Sequence, residues 1–256
     1  APNFDAKQAP AKVIFLDPAA GEPRPILSFE VERPIDPRTF SVIATTSGYI
    51  LVYSNRWQPQ GETRGRMDDY DISACVSRPV TWLEIRDRSG RLLKSRQVEG
   101  FAAAAALRTA AGDILLAGTG RSDCVAEEHA RIERLDHDLE LELWYEDKAA
   151  GASQVRALAQ SADRRIILLV NRDNLVDVAL KPATALSFPE STLGMDNYVT
   201  GEVMLLSEHG EAIDTLYLDA GSDVFISTLD ASDPNDVVIG GGVGDEAALF
   251  HVALGR

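Results

Sequence analysis

A chain of 256 residues with 45% hydrophobic content holds enough apolar material for a real core, and no window approaches the ~20 uninterrupted apolar residues of a membrane helix. Its 40 acidic residues against 25 basic ones leave a formal charge of −15, spread along the chain rather than gathered in a tail. Such a surface repels phosphate backbones and anionic head groups, so nucleic acid and membrane insertion are set aside as partners, and basic proteins, neutral ligands and divalent cations remain.

The chain opens with APNFDAKQAPAK, polar and Pro/Ala-containing, the kind of remainder left when signal peptidase cuts after a small residue. The expected location is therefore periplasmic or extracellular, after signal-peptide removal. Abundant alanine and only 5 lysines suit a GC-rich bacterial genome. Next come VIFLD and PILSFE, a pair of strands joined by Pro18-Ala19-Ala20-Gly21.

Three four-strand units follow. In the first, FSVIATT turns at Ser47-Gly48 into YILVYSN, and TWLEIRD turns at Arg88-Ser89-Gly90 into RLLKSRQV. The second has AAAALRT, a turn at Ala111-Gly112, DILLAG, then ARIERLD, a turn at His137-Asp138, and LELELWYED. The third has VRALAQS, a turn at Asp163-Arg164, RIILLVN, then EVMLLSE, a turn at His209-Gly210, and EAIDTLYL. The chain closes with DVFISTLD, a turn at Asp233-Pro234-Asn235, DVVIGGG and AALFHVAL. Short runs of Val, Ile, Leu and aromatics punctuated by Gly, Asp and Asn are hairpin text, and no segment shows a capped apolar stripe of period 3.6.

This layout predicts an all-β, single-domain chain over residues 1–256: a β-propeller of four four-stranded antiparallel blades, the last blade closed by both termini. AALFHVAL is one strand more than four blades hold, so either VIFLD is an extra outer strand or a fifth blade is partly formed from the insertion over 172–200. The stretch TAAGDILLAG, a strand ending in Leu135-Asp136 and a closing LELW resemble the DGxxLLAG and LDxxGxxxW repeats of bacterial secreted β-propellers. The resemblance runs from about residue 13 to 254 and implies a fold rather than an activity. It departs from the pattern at Asp163-Arg164, where the turn has no Gly, and keeps the closing Trp in the second unit alone, as Trp144.

Insertions concentrate between the second and third strands of each unit, over 54–79, 119–128 and 171–201, and so are expected on one face. Two of them far exceed the ~2–5 residues of ordinary hairpin loops, and long loops on a rigid scaffold are where binding resides. In the first, Trp57, Arg64, Arg66 and Tyr70 are of the types enriched at binding hot spots. Asp68, Asp69 and Asp71 offer oxygen ligands for calcium, without EF-hand spacing; a solvated acidic loop is the bland alternative, and no cofactor is the main expectation. In the third, Asp196, Asn197 and Tyr198 are candidate contacts, and VDVALKPA suits a short helix stopped at Pro182. Cys75 and Cys124 fall in the first and second insertions and are expected to form a disulfide pinning one to the other. Asp230, Asp233, Asn235 and Asp236 read first as turn chemistry on the opposite face.

The four histidines, His129, His137, His209 and His251, form no HxH or HxxxH pair, and no GxSxG elbow, P-loop or helix-opening GxGxxG is present. No carboxylate stands out as embedded in an apolar strand with a raised pKa suited to acid chemistry. The expected function is therefore a non-enzymatic module of the periplasm or cell surface that binds another protein or a complex subunit through the insertions. The alternative is a hydrolytic, carbohydrate-active propeller with carboxylates in the central channel.

Overall fold

A computed structural model describes residues 11–17, 24–31, 39–56, 79–120, 129–148, 153–174, 198–218, 223–231, 236–244 and 246–253. Strands β1 (Ala11–Asp17) and β2 (Arg24–Val31) form a hairpin. The first sheet holds β3 (Ser41–Ala44), β4 (Gly48–Arg56), β5 (Pro79–Asp87) and β6 (Leu92–Glu99). The second holds β7 (Phe101–Arg108), β8 (Ile114–Gly120), β9 (His129–Leu135) and β10 (Leu141–Glu146). The third holds β11 (Ser153–Gln160), β12 (Ile166–Asn174), β13 (Tyr198–Leu206) and β14 (Ala212–Leu218). The fourth holds three strands, β15 (Val224–Asp230), β16 (Asp236–Val243) and β17 (Glu246–Ala253). All pairings are antiparallel and every sheet is a meander in chain order, so the expected strands and the grouping of the three full units are found.

Burial explains the strand sequences. Ile166, Ile167, Leu168, Leu169 and Val170 of β12 are all inaccessible, Ile167 and Leu169 facing the fourth sheet and Leu168 and Val170 the second. A strand covered on both faces needs no polar alternation, hence the unbroken apolar run. Four apolar layers repeat this arrangement: hairpin on first sheet, first on second, second on third, third on fourth. In the outermost of these, Phe15 packs on Tyr49 at 4.6 Å between ring centroids, and the Arg86 guanidinium lies 4.5 Å over the Phe29 ring.

Two devices recur from unit to unit. The first strands β7, β11 and β15 each carry a bulge, between Ala103 and Ala105, Val155 and Ala157, and Ile226 and Thr228, which bends the strand that begins the second, third and fourth sheets. The tight turns use a left-handed residue at one position, Gly90, Gly112 and Gly210 in three of them and Leu139 (φ 64°) and Arg164 (φ 71°) in two others. Gly90 has a second reason to be glycine, since a Cβ there would lie 2.5 Å from the Phe29 ring. Leu139 instead uses its side chain, fully buried between the first and second sheets.

The ends depart from the expected closure. Among the described residues, no strand of the fourth sheet pairs with β1 or β2, so the two termini do not share a sheet. The physical reason is the hairpin's inner face: Val13, Phe29 and Val31 pack on Leu51, Tyr53, Val80 and Trp82, making β1–β2 a layer of its own.

Candidate functional site at the insertion-bearing end

In these meanders the tight turns lie at one end of each sheet and the second-to-third-strand connections at the other. Arg56 pairs with Pro79, Gly120 with His129 and Asn174 with Tyr198 as the last rungs of β4–β5, β8–β9 and β12–β13. The three insertions therefore leave from corresponding corners of three consecutive sheets. Of the expected contact residues, Trp57, Arg64, Arg66, Tyr70, Asp196 and Asn197 lie outside the described residues, as do Asp68, Asp69, Asp71, Cys75, Cys124 and the helix expected in VDVALKPA. Tyr198 opens β13 by its backbone.

The described part of this end is a polar framework joining each sheet to the next. Thr81 Oγ1 on β5 donates to the Phe101 carbonyl at 2.7 Å and accepts from the Ala103 amide at 2.9 Å, holding β7 beside the first sheet. Ser153 Oγ on β11 accepts from the Ala130 amide of the second sheet at 2.7 Å. Asn171 on β12 accepts from the Ile226 amide at 3.0 Å and donates to the Ile226 carbonyl at 3.2 Å, copying a strand rung with a side chain. Thr81, Ser153 and Asn171 are all buried, so these bonds satisfy strand-edge groups that water does not reach.

Two residues before the end of β12 sits a buried ion cluster. Arg172 on β12 donates from Nε to Glu202 Oε1 at 2.6 Å and from Nη2 to Glu202 Oε2 at 2.9 Å, and Nη2 also bonds Asp147, which follows β10. All three side chains are about 5% exposed or less. Burial pushes Glu202 above the ordinary glutamate value, against the pull of Arg172, with Asp147 adding to the rise. Tyr145 beside the cluster is pushed up to about 12, first by burial and then by the Asp147 charge, and Tyr217 moves the same way. Two acids on one arginine leave an excess negative charge, which adds to burial in raising Glu202.

This cluster corrects the expectation that no apolar strand embeds a carboxylate. Third strands β5, β9 and β13 each bury one: Glu84, Glu133 and Glu202. Glu84 accepts from Tyr53 Oη at 2.6 Å and from Arg86 Nε at 2.8 Å, and Glu133 pairs with Arg131. Glu133 is also raised by burial, with Arg131 opposing. Each glutamate shares a sheet face with the apolar layer preceding its own sheet, so the three lie in three different layers and do not converge on one reacting centre. Each is matched by an arginine, which suits anchoring rather than proton transfer. For Glu84 and Glu133 the missed signal was an Arg two residues from the Glu, in LEIRD and ARIER, within runs apolar at both parities; Glu202, whose arginine comes from the neighbouring strand, carried no such signal.

The remaining polar features are peripheral. His137 and His209 occupy corresponding exposed turns as expected, and His251 lies 3.4 Å from Asp236 on the fourth sheet. Asp136, His137 and Asp138 bring ligand-type atoms together in an exposed turn, where Asp136 accepts from the amides of Asp138 and Glu140 and Asp138 pairs with Lys94. Among the described residues no helix is long and apolar enough to cross a membrane.

Comparison with known proteins brings no assignment. No family model and no curated protein matches the chain. Among solved structures, a hypothetical protein from Leishmania major is similar over 85% of this chain and 86% of its own, at 9% identity and a TM-score of 0.30, a likeness too slight to carry an argument.

Proposed function

We propose that the chain is an exported β-propeller acting as a non-enzymatic binding module, which holds another protein or a complex subunit on the second-to-third-strand connections. The observation that supports this reading is the common origin of the three insertions, at corresponding corners of sheets joined rung to rung by Thr81, Ser153 and Asn171. A rigid framework under long loops is what positions a binding surface at low ordering cost. The charge of −15 favours a partner with a basic face. Argnines on Glu84, Glu133 and Glu202 weigh against the hydrolytic alternative.

Ring closure is part of the same proposal. Ile14, Leu16 and Ile26 on the outer face of the hairpin, and Phe225, Val238 and Leu249 on the outer face of the fourth sheet, are large apolar groups between 41% and 80% exposed. These faces stand at the two ends of the series, and covering each with the other would give the five-bladed count. Cysteines introduced at Ile26 and Leu249, treated with a short bis-maleimide, test it: a closed ring gives intramolecular crosslinks in the monomer, and an open stack gives none.

The binding reading is tested by capture from the native source with the tagged protein, beside a variant in which Trp57, Arg64 and Tyr70 are all alanine. A stoichiometric protein retained by the first bait and lost by the second supports the reading and its face. Equal capture by both baits, or none by either, overturns it.

A further inference from the structure

At the opposite end of the second and third sheets lies a cleft of about 450 Å³, within the ~300–1,000 Å³ of small-molecule sites. Its floor is Leu115 and Ile166, both buried, and one wall is the half-buried indole of Trp144. Gly210 of the β13–β14 turn lies against that indole: a Cβ there would sit 3.2 Å from Cδ2 and 2.5 Å from the Trp144 carbonyl, which fixes the ring. Between the sheets, Gln160 accepts from the Ala110 amide at 2.7 Å and donates to the Arg164 carbonyl at 3.2 Å, bracing the two turns that flank the cleft. Thr109 Oγ1 lines it with no hydrogen-bond partner among the described residues.

The charges at the mouth come in matched pairs. Arg134 bonds Glu142, and Arg164 faces Glu208 at 3.9 Å. With Asp113 added and His209, beside Glu208, neutral, the lining carries one more acid than base, so it offers no spare arginine for a phosphate or carboxylate ligand. Its apolar lining is the Trp144 ring with Leu115, Leu143, Ile166 and Ala111, too little to seat a lipid chain. What such a site suits is a neutral ligand with an apolar face to lie on an indole and hydroxyls around its edge to meet carboxylates, guanidinium groups and Thr109.

We propose that this cleft binds a neutral saccharide, with Trp144 as the stacking platform and the Arg134–Glu142 pair as the hydroxyl-reading edge. The site is independent of the insertion-bearing end, so either proposal stands or falls without the other.

The test is calorimetric titration of the whole chain with four uncharged hexasaccharides, cellohexaose, maltohexaose, mannohexaose and hexa-N-acetylchitohexaose, beside inorganic phosphate. At least one hexasaccharide is expected to bind with Kd below about 1 mM, and phosphate is expected to give no heat. Trp144→Ala should weaken that binding at least ~10-fold, a typical loss for a central aromatic contact. Because Trp144→Ala can also loosen the fold, the double variant Arg134→Gln/Glu142→Gln, confined to exposed side chains, should show a loss of similar size with an unchanged far-ultraviolet spectrum. Leu92→Ala, an exposed residue outside the cleft, should bind as the parent does. Silence of all four sugars to about 10 mM, binding that survives both variants, or a response to phosphate alone overturns the proposal.

Discussion

The two ends of the same sheets are built on different physics. At the insertion-bearing end the polar groups are buried and shared between sheets: Thr81 with Phe101 and Ala103, Asn171 with Ile226, Arg172 with Asp147 and Glu202. At the turn-bearing end most charges are exposed and screened, as in Lys94 with Asp138 and Arg134 with Glu142, the buried exception being Arg86, which joins Glu84 to the Gly90 carbonyl of its turn. Buried polar groups are costly if left unpaired, whereas exposed pairs contribute little. The end that carries the long connections is thus the one whose geometry is enforced by the penalty for misplacement.

The sharpest way to break this contrast is Arg172→Ala, which leaves Asp147 and Glu202 buried without their cation. A destabilisation of about 3–5 kcal/mol is expected in urea melts, and a loss below about 1 kcal/mol would mean the cluster is wetter than its burial implies. Next is Asn171→Ala, which strands the Ile226 amide and carbonyl. About 2–4 kcal/mol is expected, the cost of two unsatisfied buried groups, with faster amide exchange at Ile226. A loss as small as that of an exposed pair would place water in the joint.

A third change uses pH. Burial raises Glu202 above its ordinary value of 4.5, so its contribution to stability is present in full below that value and lost as pH rises through the raised one. Glu202→Gln cannot ionise and lacks that loss. Its stability relative to the parent should therefore improve as pH is raised through this range, and a difference independent of pH would show that Arg172 cancels the burial effect. The smallest expected effect is at the other end: Arg164→Gly relieves a left-handed residue in an exposed turn, and a gain of about 0.5 kcal/mol is expected after glycine's entropic cost. A clear loss would mean that the Arg164 side chain supports its turn through Glu208.

The strands were legible because short apolar runs bounded by Gly, Asp and Ser can form little else than hairpins, and the four-strand period grouped them correctly into three full sheets. Glu84, Glu133 and Glu202 were not, because a lone Glu in a strand ordinarily faces water and only two-sided coverage leaves it nowhere to go. Leu139 was hidden for the opposite reason: at a turn position that favours glycine, nothing local signals that a leucine will accept the strain in exchange for burial between sheets. Of the candidate site, the sequence located the end but not the Thr81, Ser153 and Asn171 joints, since each pairs with backbone rather than with a recognisable partner type.

The serial order of the layers has a consequence for cooperativity. When each sheet is covered only by its neighbours, stability is a sum of nearest-neighbour terms and unfolding begins where a neighbour is missing. Native-state amide exchange would then be slowest in β8 and β12 and fastest in β1–β2 and β15–β17, a gradient running outward from the middle of the chain. Closing the hairpin onto the fourth sheet abolishes that gradient, because a ring has no first or last layer to fray.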